Sequence, residues 1–307
     1  MDSAGAAPKS IAVGVLIAML GAIAFSGKAI IVKLAYRHGV DAVTLIMLRM
    51  VFALPFFLAM AWWAGRSRNG VAPVALTRKD WLGILGLGLT GYYLASFLDF
   101  AGLQYVTASL ERLILYLNPT LVLLLGWSLL GKRISPHQAW GMAISYGGVL
   151  LVFGHEVTLQ GADVGLGALL VFLSAVSYAI YLFYSGELVQ RLGSLRLVGL
   201  ATSFACVLCI AQYAVLRPLD AVLSVAPQVV WLSVLNATLC TVVPVMLVMM
   251  AIERIGSGLA AQVGMVGPMS TMLMGVVLLG EPFTAWLVCG TALVLVGVAV
   301  CSRSRSA

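Results

Sequence analysis

Five ionisable residues stand inside apolar stretches, where charge is costly: Lys28, Arg49, Asp99, Glu111 and Arg112. A charge near the centre of a bilayer costs about 2.5–3.5 kcal/mol on insertion scales, so each must be paired or face water. Three cations and two acids can form one network. Two readings compete for it. In one, the charges neutralise each other, Asp99 with Arg112 for example, and the network is structural. In the other, Asp99 or Glu111, buried beside a cation, holds a proton poised for coupling or touches a substrate. The positions that match Glu111 and Arg112 in the second half are Ala260 and Ala261, so the cluster belongs to one side of the molecule.

Polar and aromatic side chains recur midway along other apolar stretches. Ser26 follows Phe25, Tyr92 precedes Tyr93, and Ser177, Tyr178 and Tyr181 share one stretch, as do Asn236 to Thr241. Each is a candidate wall of a substrate cavity, and each is also an ordinary packing residue. Pro119 and Pro268 lie near the middle of their stretches. Proline has no N–H and clashes with the carbonyl four residues back, which frees the carbonyls of Leu115 and Gly264. In a membrane those carbonyls must meet protein, water or substrate. Asn118 and Gln262 add polar groups nearby. A packing kink is the alternative. Pro55 and Pro244 have no counterpart in the other half and are read as packing kinks.

Other chemistries find little support. Cys206 and Cys209 form a C-x-x-C, but Phe204, Val207, Leu208 and Ile210 surround it, and redox or zinc use needs a polar, accessible thiolate. The five cysteines are read as helix-packing residues. His38, His137 and His155 are assigned to loops or span ends, so no metal site is expected. Gly126 to Lys132 has the spacing of a phosphate loop, but Arg133 replaces the hydroxyl residue that magnesium needs. Glu187 and Arg191, four apart, read as an ion pair on a helix surface. No cofactor is expected.

The elements that must position these residues follow from composition. Of 307 residues 62% are apolar and 9% charged, with a mean hydropathy of +1.07. Soluble domains carry about 25% charged residues. A span needs roughly 20 apolar residues, and in lipid a continuous apolar stretch must be a helix. Ten spans are expected, near 11–35, 41–64, 80–102, 106–130, 136–153, 165–190, 195–216, 228–251, 257–279 and 284–301. The first is too long for a signal-peptide core. With a cytoplasmic N-terminus the inside holds Lys9, Arg66, Arg68, Arg78, Lys79, Lys132, Arg133, Arg191, Arg196, Arg254, Arg303 and Arg305, and the outside only Lys33, Arg37 and Arg217. This bias places both termini in the cytoplasm. The same sorting accounts for the net charge of +7 without nucleic acid.

The halves repeat. Tyr105 to Val149 aligns with Arg254 to Val298 at an offset of 149: Pro119 falls on Pro268, Gly131 on Gly280, Gly141 on Gly290 and Gly148 on Gly297. Trp81-Leu82 matches Trp231-Leu232 at an offset of 150. Five spans per half is odd, so the second half inserts upside down, an arrangement transporters use to bind substrate between their halves. The expected class is an all-α membrane protein of ten transmembrane helices in two inverted five-helix repeats, residues 1–153 and 165–301.

The chain resembles the EamA group of the drug/metabolite transporter superfamily. The resemblance rests on the 5+5 repeat, on Arg49-Met50-Val51-Phe52-Ala53, and on Glu111-Arg112-Leu113-Ile114-Leu115-Tyr116-Leu117-Asn118-Pro119. It rests also on a Leu-Leu-Gly, polar turn and Gly-rich helix in each half, the second turn being Gly280-Glu281-Pro282. The first turn departs from the pattern, with Lys132 where an acid is common. The resemblance implies an inner-membrane exporter of metabolites, amino acids or drugs, by proton exchange or facilitated diffusion. A membrane-embedded enzyme and a passive channel are the alternatives. The implied partners are a small-molecule substrate and the lipid bilayer, with a homodimer left open.

Overall fold

The computed structural model describes residues 8–66, 74–131, 133–161, 163–264 and 266–303, and among them every regular element is helical. Arg68, Lys132 and Arg305, used above to orient the chain, lie outside the described residues, as do the side chains of Lys9 and Arg303. The helices are α1 (Pro8–Tyr36), α2 (Ala42–Ala64), α3 (Arg78–Leu87), α4 (Ala95–Gly102), α5 (Ala108–Leu115), α6 (Asn118–Leu130), α7 (Pro136–Gln160), α8 (Asp163–Leu192), α9 (Ser194–Leu216), α10 (Pro227–Ala237), α11 (Val243–Gly264), α12 (Val266–Met274) and α13 (Ala285–Arg303). A π-helical turn, Gly88–Leu94, joins α3 to α4; a second, Thr238–Val242, joins α10 to α11; a third, Gly275–Leu279, extends α12.

Eight helical stretches are long and apolar enough to cross a membrane, and Val266–Leu279 and Ala285–Cys301 are shorter apolar helices. Local signals set many of the ends. Asp41, Thr77, Thr107 and Ser135 cap helix N-termini with their side chains, with Asp80 and Gln138 completing two capping boxes. Gly131 and Gly280 stop their helices in the left-handed conformation, at φ 62° and 72°.

The outer surface of the bundle is apolar. All seven tryptophans are exposed, and each lies within four residues of a helix end. Tryptophan at helix ends forms the aromatic belts that sit at membrane interfaces. Polar groups are turned inward, among them Ser26, Lys28, Arg49, Asp99, Glu111 and Arg112.

Three stretches differ from the sequence expectation. The fifth span does not stop at 153: α7 continues through His155 and Glu156 to Gln160. Glu156 is buried there, its carboxylate accepting the Thr107 hydroxyl, so two polar residues beyond the expected span are inside a helix. His155 is therefore helical, with its ring stacked on Trp286. The fourth span is two helices, broken at Tyr116-Leu117.

No irregular loop divides the eighth span from the ninth. Gly27, Gly21 and Gly14 of α1 pack in turn against Cys240, against Leu247 and Val248, and against Arg254 and Ile255, so α10 and α11 run antiparallel to α1. Yet the Ser26 hydroxyl donates to the Gly267 carbonyl at 2.9 Å. The twelve or so residues from Ile255 to Gly267 span about 18 Å as helix, which equals the distance back along α1 from Gly14 to Ser26. The chain thus reverses just after Ile255 while helical hydrogen bonding runs on to Gly264.

Close backbone packing joins α7 to α13. A Cβ on Gly141 would meet the Gly297 carbonyl, and one on Gly148 would meet that of Gly290. Small residues permit such approach where lipid gives helices no hydrophobic reason to associate.

Candidate functional site

The buried charges gather where α1, α2, α4 and α5 meet α12 and the π-turn after α10. Lys28 on α1 places Nζ 2.6 Å from Oδ2 of Asp99 on α4 and 3.3 Å from Oε1 of Glu111 on α5. Lys28, Asp99 and Glu111 are 7%, 2% and 0% exposed. One lysine thus serves two carboxylates, and neither oxygen of Glu111 accepts a hydrogen bond, nor does Oδ1 of Asp99. Removing one partner from such a set leaves an uncompensated buried charge, which typically costs about 3–5 kcal/mol.

The arginines do not serve the carboxylates, and the pairing of Asp99 with Arg112 considered above is not formed. Lys28 occupies Asp99 instead, since it reaches the acid directly from the adjoining helix. Arg112 Nε donates to Thr271 Oγ1 at 3.0 Å, and Arg49 Nε to Thr241 Oγ1 at 3.1 Å. Their guanidinium groups lie over the rings of Phe25 and Phe100, 5.3 and 5.2 Å from the centroids. One terminal nitrogen of each, NH1 of Arg49 and NH2 of Arg112, has no hydrogen-bond partner. Thr271 was not singled out in the sequence, because one threonine in an apolar stretch carries no signal of its own.

The two prolines fall differently. Pro119 falls at the first turn of α6, where a missing N–H costs nothing, and it is exposed; Pro268 is buried within α12. The Gly264 carbonyl, which Pro268 cannot serve, accepts the Tyr116 hydroxyl at 2.7 Å. Tyr116 and Ser26 therefore bind the fourth and first spans directly to the backbone of the ninth. Asn118 Oδ1 is buried without a partner. Gln262 is on α11, and its side chain lies outside the described residues.

The tyrosines form a second group. Tyr92 and Tyr181 join their hydroxyls at 3.1 Å with rings edge to face, and Tyr178 stacks on Tyr181 with centroids 5.4 Å apart. The π-turn delivers Tyr92, and Gly91 admits the Tyr181 ring where any Cβ would collide with it. Tyr93 instead packs against the core between α1, α2 and α9.

A further polar set was missed. Glu281 accepts from the backbone N–H of Ala108 at 2.6 Å and from the Ser109 hydroxyl at 2.7 Å, capping α5 from the α12–α13 turn. Lys33 donates to the carbonyls of Leu103 and Val106, and Arg37 to that of Leu279. These groups surround a polar pocket of about 430 Å³. At the other end of the bundle, Arg191 pairs with buried Asp80 at 2.9 Å rather than with Glu187. Asp80 is the acid out of water and gains more from a counter-ion than exposed Glu187 does. Among the described residues no group of three or more metal-ligating side chains occurs.

Comparison with known proteins agrees with this architecture. Residues 12–154 and 165–303 each match the family model described as EamA-like transporter family. Uncharacterized transporter YcbK of Bacillus subtilis is 28% identical over 274 residues, which cover 88% of this chain and 86% of that one. Uncharacterized transporter YyaM of the same species is 31% identical over 106 residues, 34% of this chain and 35% of the other. A solved crystal structure superposes with a TM-score of 0.62 at 20% identity, covering 95% of this chain and 97% of its own, a likeness of fold.

Proposed function

Because the chain belongs to the EamA-like transporter family, and is thus a multi-pass membrane transporter, we propose that it exports a small molecule across the inner membrane by alternating access, with Glu111 as the group that takes up and releases a proton. The reading takes the chain as ten spans in two inverted repeats, with both termini cytoplasmic. Features recur at the repeat offset. The π-turns begin at Gly88 and Thr238, and the left-handed stops are Gly131 and Gly280. The glycine contacts also exchange as a two-fold axis requires. Gly141 meets Gly297 and Gly148 meets Gly290, while the sequence equates Gly141 with Gly290 and Gly148 with Gly297. Such a pair of related halves can rock about a midplane site.

The observation that carries the functional reading is the position of the charge cluster beside the broken fourth span and the proline-bearing ninth. Glu111 sits one turn before the break at Tyr116, fully buried, and shares its lysine with Asp99. A proton on Glu111 releases Lys28 to Asp99 alone and frees α5 from α1. Ser26, Tyr92, Tyr93, Asn118, Tyr178, Tyr181 and Gln262 are proposed to line the substrate path.

Counterflow in proteoliposomes tests this. The wild type is expected to accumulate labelled solute transiently against an internal unlabelled pool, with a rate that varies with pH. Glu111→Gln should keep counterflow and lose most of that variation. Absence of counterflow for every solute in a broad panel, or identical pH profiles for the two proteins, would contradict the reading.

A further inference from the structure

We propose that the substrate is an organic monoanion whose acid group is held between the guanidinium groups of Arg49 and Arg112, an inference that rests on the carrier reading above and narrows its substrate class. The argument begins with charge balance. Lys28, Arg49 and Arg112 are three buried cations, and only Asp99 and Glu111 lie among them as acids. Both acids address Lys28. The cluster therefore carries one positive charge more than it neutralises, inside a membrane segment where such a charge is costly.

The excess sits on the arginines. Among the described residues no carboxylate lies within ion-pair distance of either guanidinium, while each is fixed by its Nε–H to a threonine of the second half. That bond sets the plane of the group and leaves NH1 of Arg49 and NH2 of Arg112 without a partner. Arginine matches the planar geometry of a carboxylate or sulfonate, and its bonds to such acids are stronger than those between neutral groups. A third unsatisfied group stands beside Arg49. Asn236 is 1% exposed, neither its amide nitrogen nor its amide oxygen has a partner, and its backbone carbonyl accepts the Thr241 hydroxyl that holds Arg49.

The two arginines belong to one site. Thr241, which holds Arg49, follows Cys240, which packs on Gly27; Thr271, which holds Arg112, donates to the Gly267 carbonyl that Ser26 also bonds, so both anchoring threonines stand at the Ser26–Gly27 turn of α1. Lys28 and Arg112 share the ring of Phe25, and Phe100, under Arg49, adjoins Asp99 in the chain. The rings give an anion with an apolar or aromatic body a surface to lie on. A cationic solute would have to displace Lys28 from both carboxylates and would raise the local charge further. With Glu111 ionised, a dianion would overshoot the single excess charge.

The test uses the purified full chain in nanodiscs, with thermal unfolding read against benzoate, naphthalene-sulfonate, leucine, benzylamine and phthalate. A solute that binds only the folded state raises the melting temperature in proportion to its saturation. Benzoate or naphthalene-sulfonate is expected to raise it, and benzylamine is not. Arg49→Gln and Arg112→Gln should each weaken the response by roughly ten- to a hundred-fold in concentration, the loss expected for a charged hydrogen bond. Arg49→Lys and Arg112→Lys should recover part of it, and they stand in for any glutamine variant that fails to fold. Stabilisation by benzylamine or leucine with none by the monoanions overturns the proposal, as does an anion response unchanged in both Gln and both Lys variants. The same solutes in counterflow separate the two levels. Counterflow of benzylamine alone sinks the anion proposal and leaves the carrier standing, whereas no counterflow of any solute sinks the carrier.

Discussion

Lys28, at 2.6 Å from one carboxylate and 3.3 Å from another, shows what a single side chain decides in an apolar bundle. The sequence makes the buried charges visible, because a charge in an apolar stretch needs a partner, and Lys28, Asp99 and Glu111 do meet. It does not make the pairing visible. Three cations and two acids allow several matches, and the choice depends on which helices adjoin. Glu156 escaped notice for a related reason: beside His155 near the end of an apolar run it reads as a loop, and only the Thr107 hydroxyl from another span explains its burial. Outside the membrane, Asp41 is open to a pH test. Burial pushes its carboxyl up, but the Thr44 hydroxyl and N–H and the Arg217 guanidinium outweigh that and hold it below the usual carboxylate range. A lowered carboxyl stabilises the fold above its unfolded value of about 3.9 and loses that contribution as pH falls through the lowered one. Asp41 also caps α2. Asp41→Ala is expected to be less stable by roughly 1 kcal/mol near pH 6. In detergent melts the gap between it and the wild type should close below about pH 4.

At the scale of the element, the sequence located both prolines but could not tell them apart. Pro119 begins a new helix, so its missing N–H has no bond to make, and the break there is completed by the turn at Tyr116-Leu117. Pro268 stands inside α12, four residues after a carbonyl that Tyr116 has claimed. An alanine N–H at 268 would compete with the tyrosine for that carbonyl and draw the helix straight. Pro268→Ala is therefore expected to cut the transport rate several-fold, with melting temperature equal or slightly higher, and Pro119→Ala to change it far less. Equal losses at the two sites in vesicle uptake would contradict the asymmetry. The π-turns at Gly88 and Thr238 had no signal of their own beyond a run of glycines and hydroxyls, since an inserted residue shifts the helical phase and a span that is apolar on most sides has little periodicity to reveal the shift. The reversal after Ile255 falls in the stretch read as the boundary between the eighth and ninth spans, within α11. What hid its helical character was the expectation that a turn between spans must break the hydrogen-bond ladder.

For the whole molecule, the repeat was the most legible feature, because glycines and prolines mark backbone requirements that survive when side chains diverge. Gly131 and Gly280 show the reason directly, since both adopt a left-handed conformation that other residues avoid. Both termini are proposed to be cytoplasmic, on the charge bias of the loops. Reporter fusions at Arg68 and Ser302 should read cytoplasmic and one at Gly161 external; reversed signals at any two of them would invert the molecule.

The central claim is that the polar interior beside the fourth-span break and Pro268 opens to one side of the membrane and then to the other. Asn118, half-buried with an unpartnered oxygen at the fourth-span break, is the position from which to watch this. A single cysteine at Asn118, in a background without the five native cysteines, can be challenged with a membrane-impermeant thiol reagent from each face of oriented vesicles. The account predicts labelling from both faces, with protection by a transported solute and with a ratio of the two rates that shifts when a solute gradient is imposed. Labelling from one face only, at a rate indifferent to solute and gradient, would contradict it.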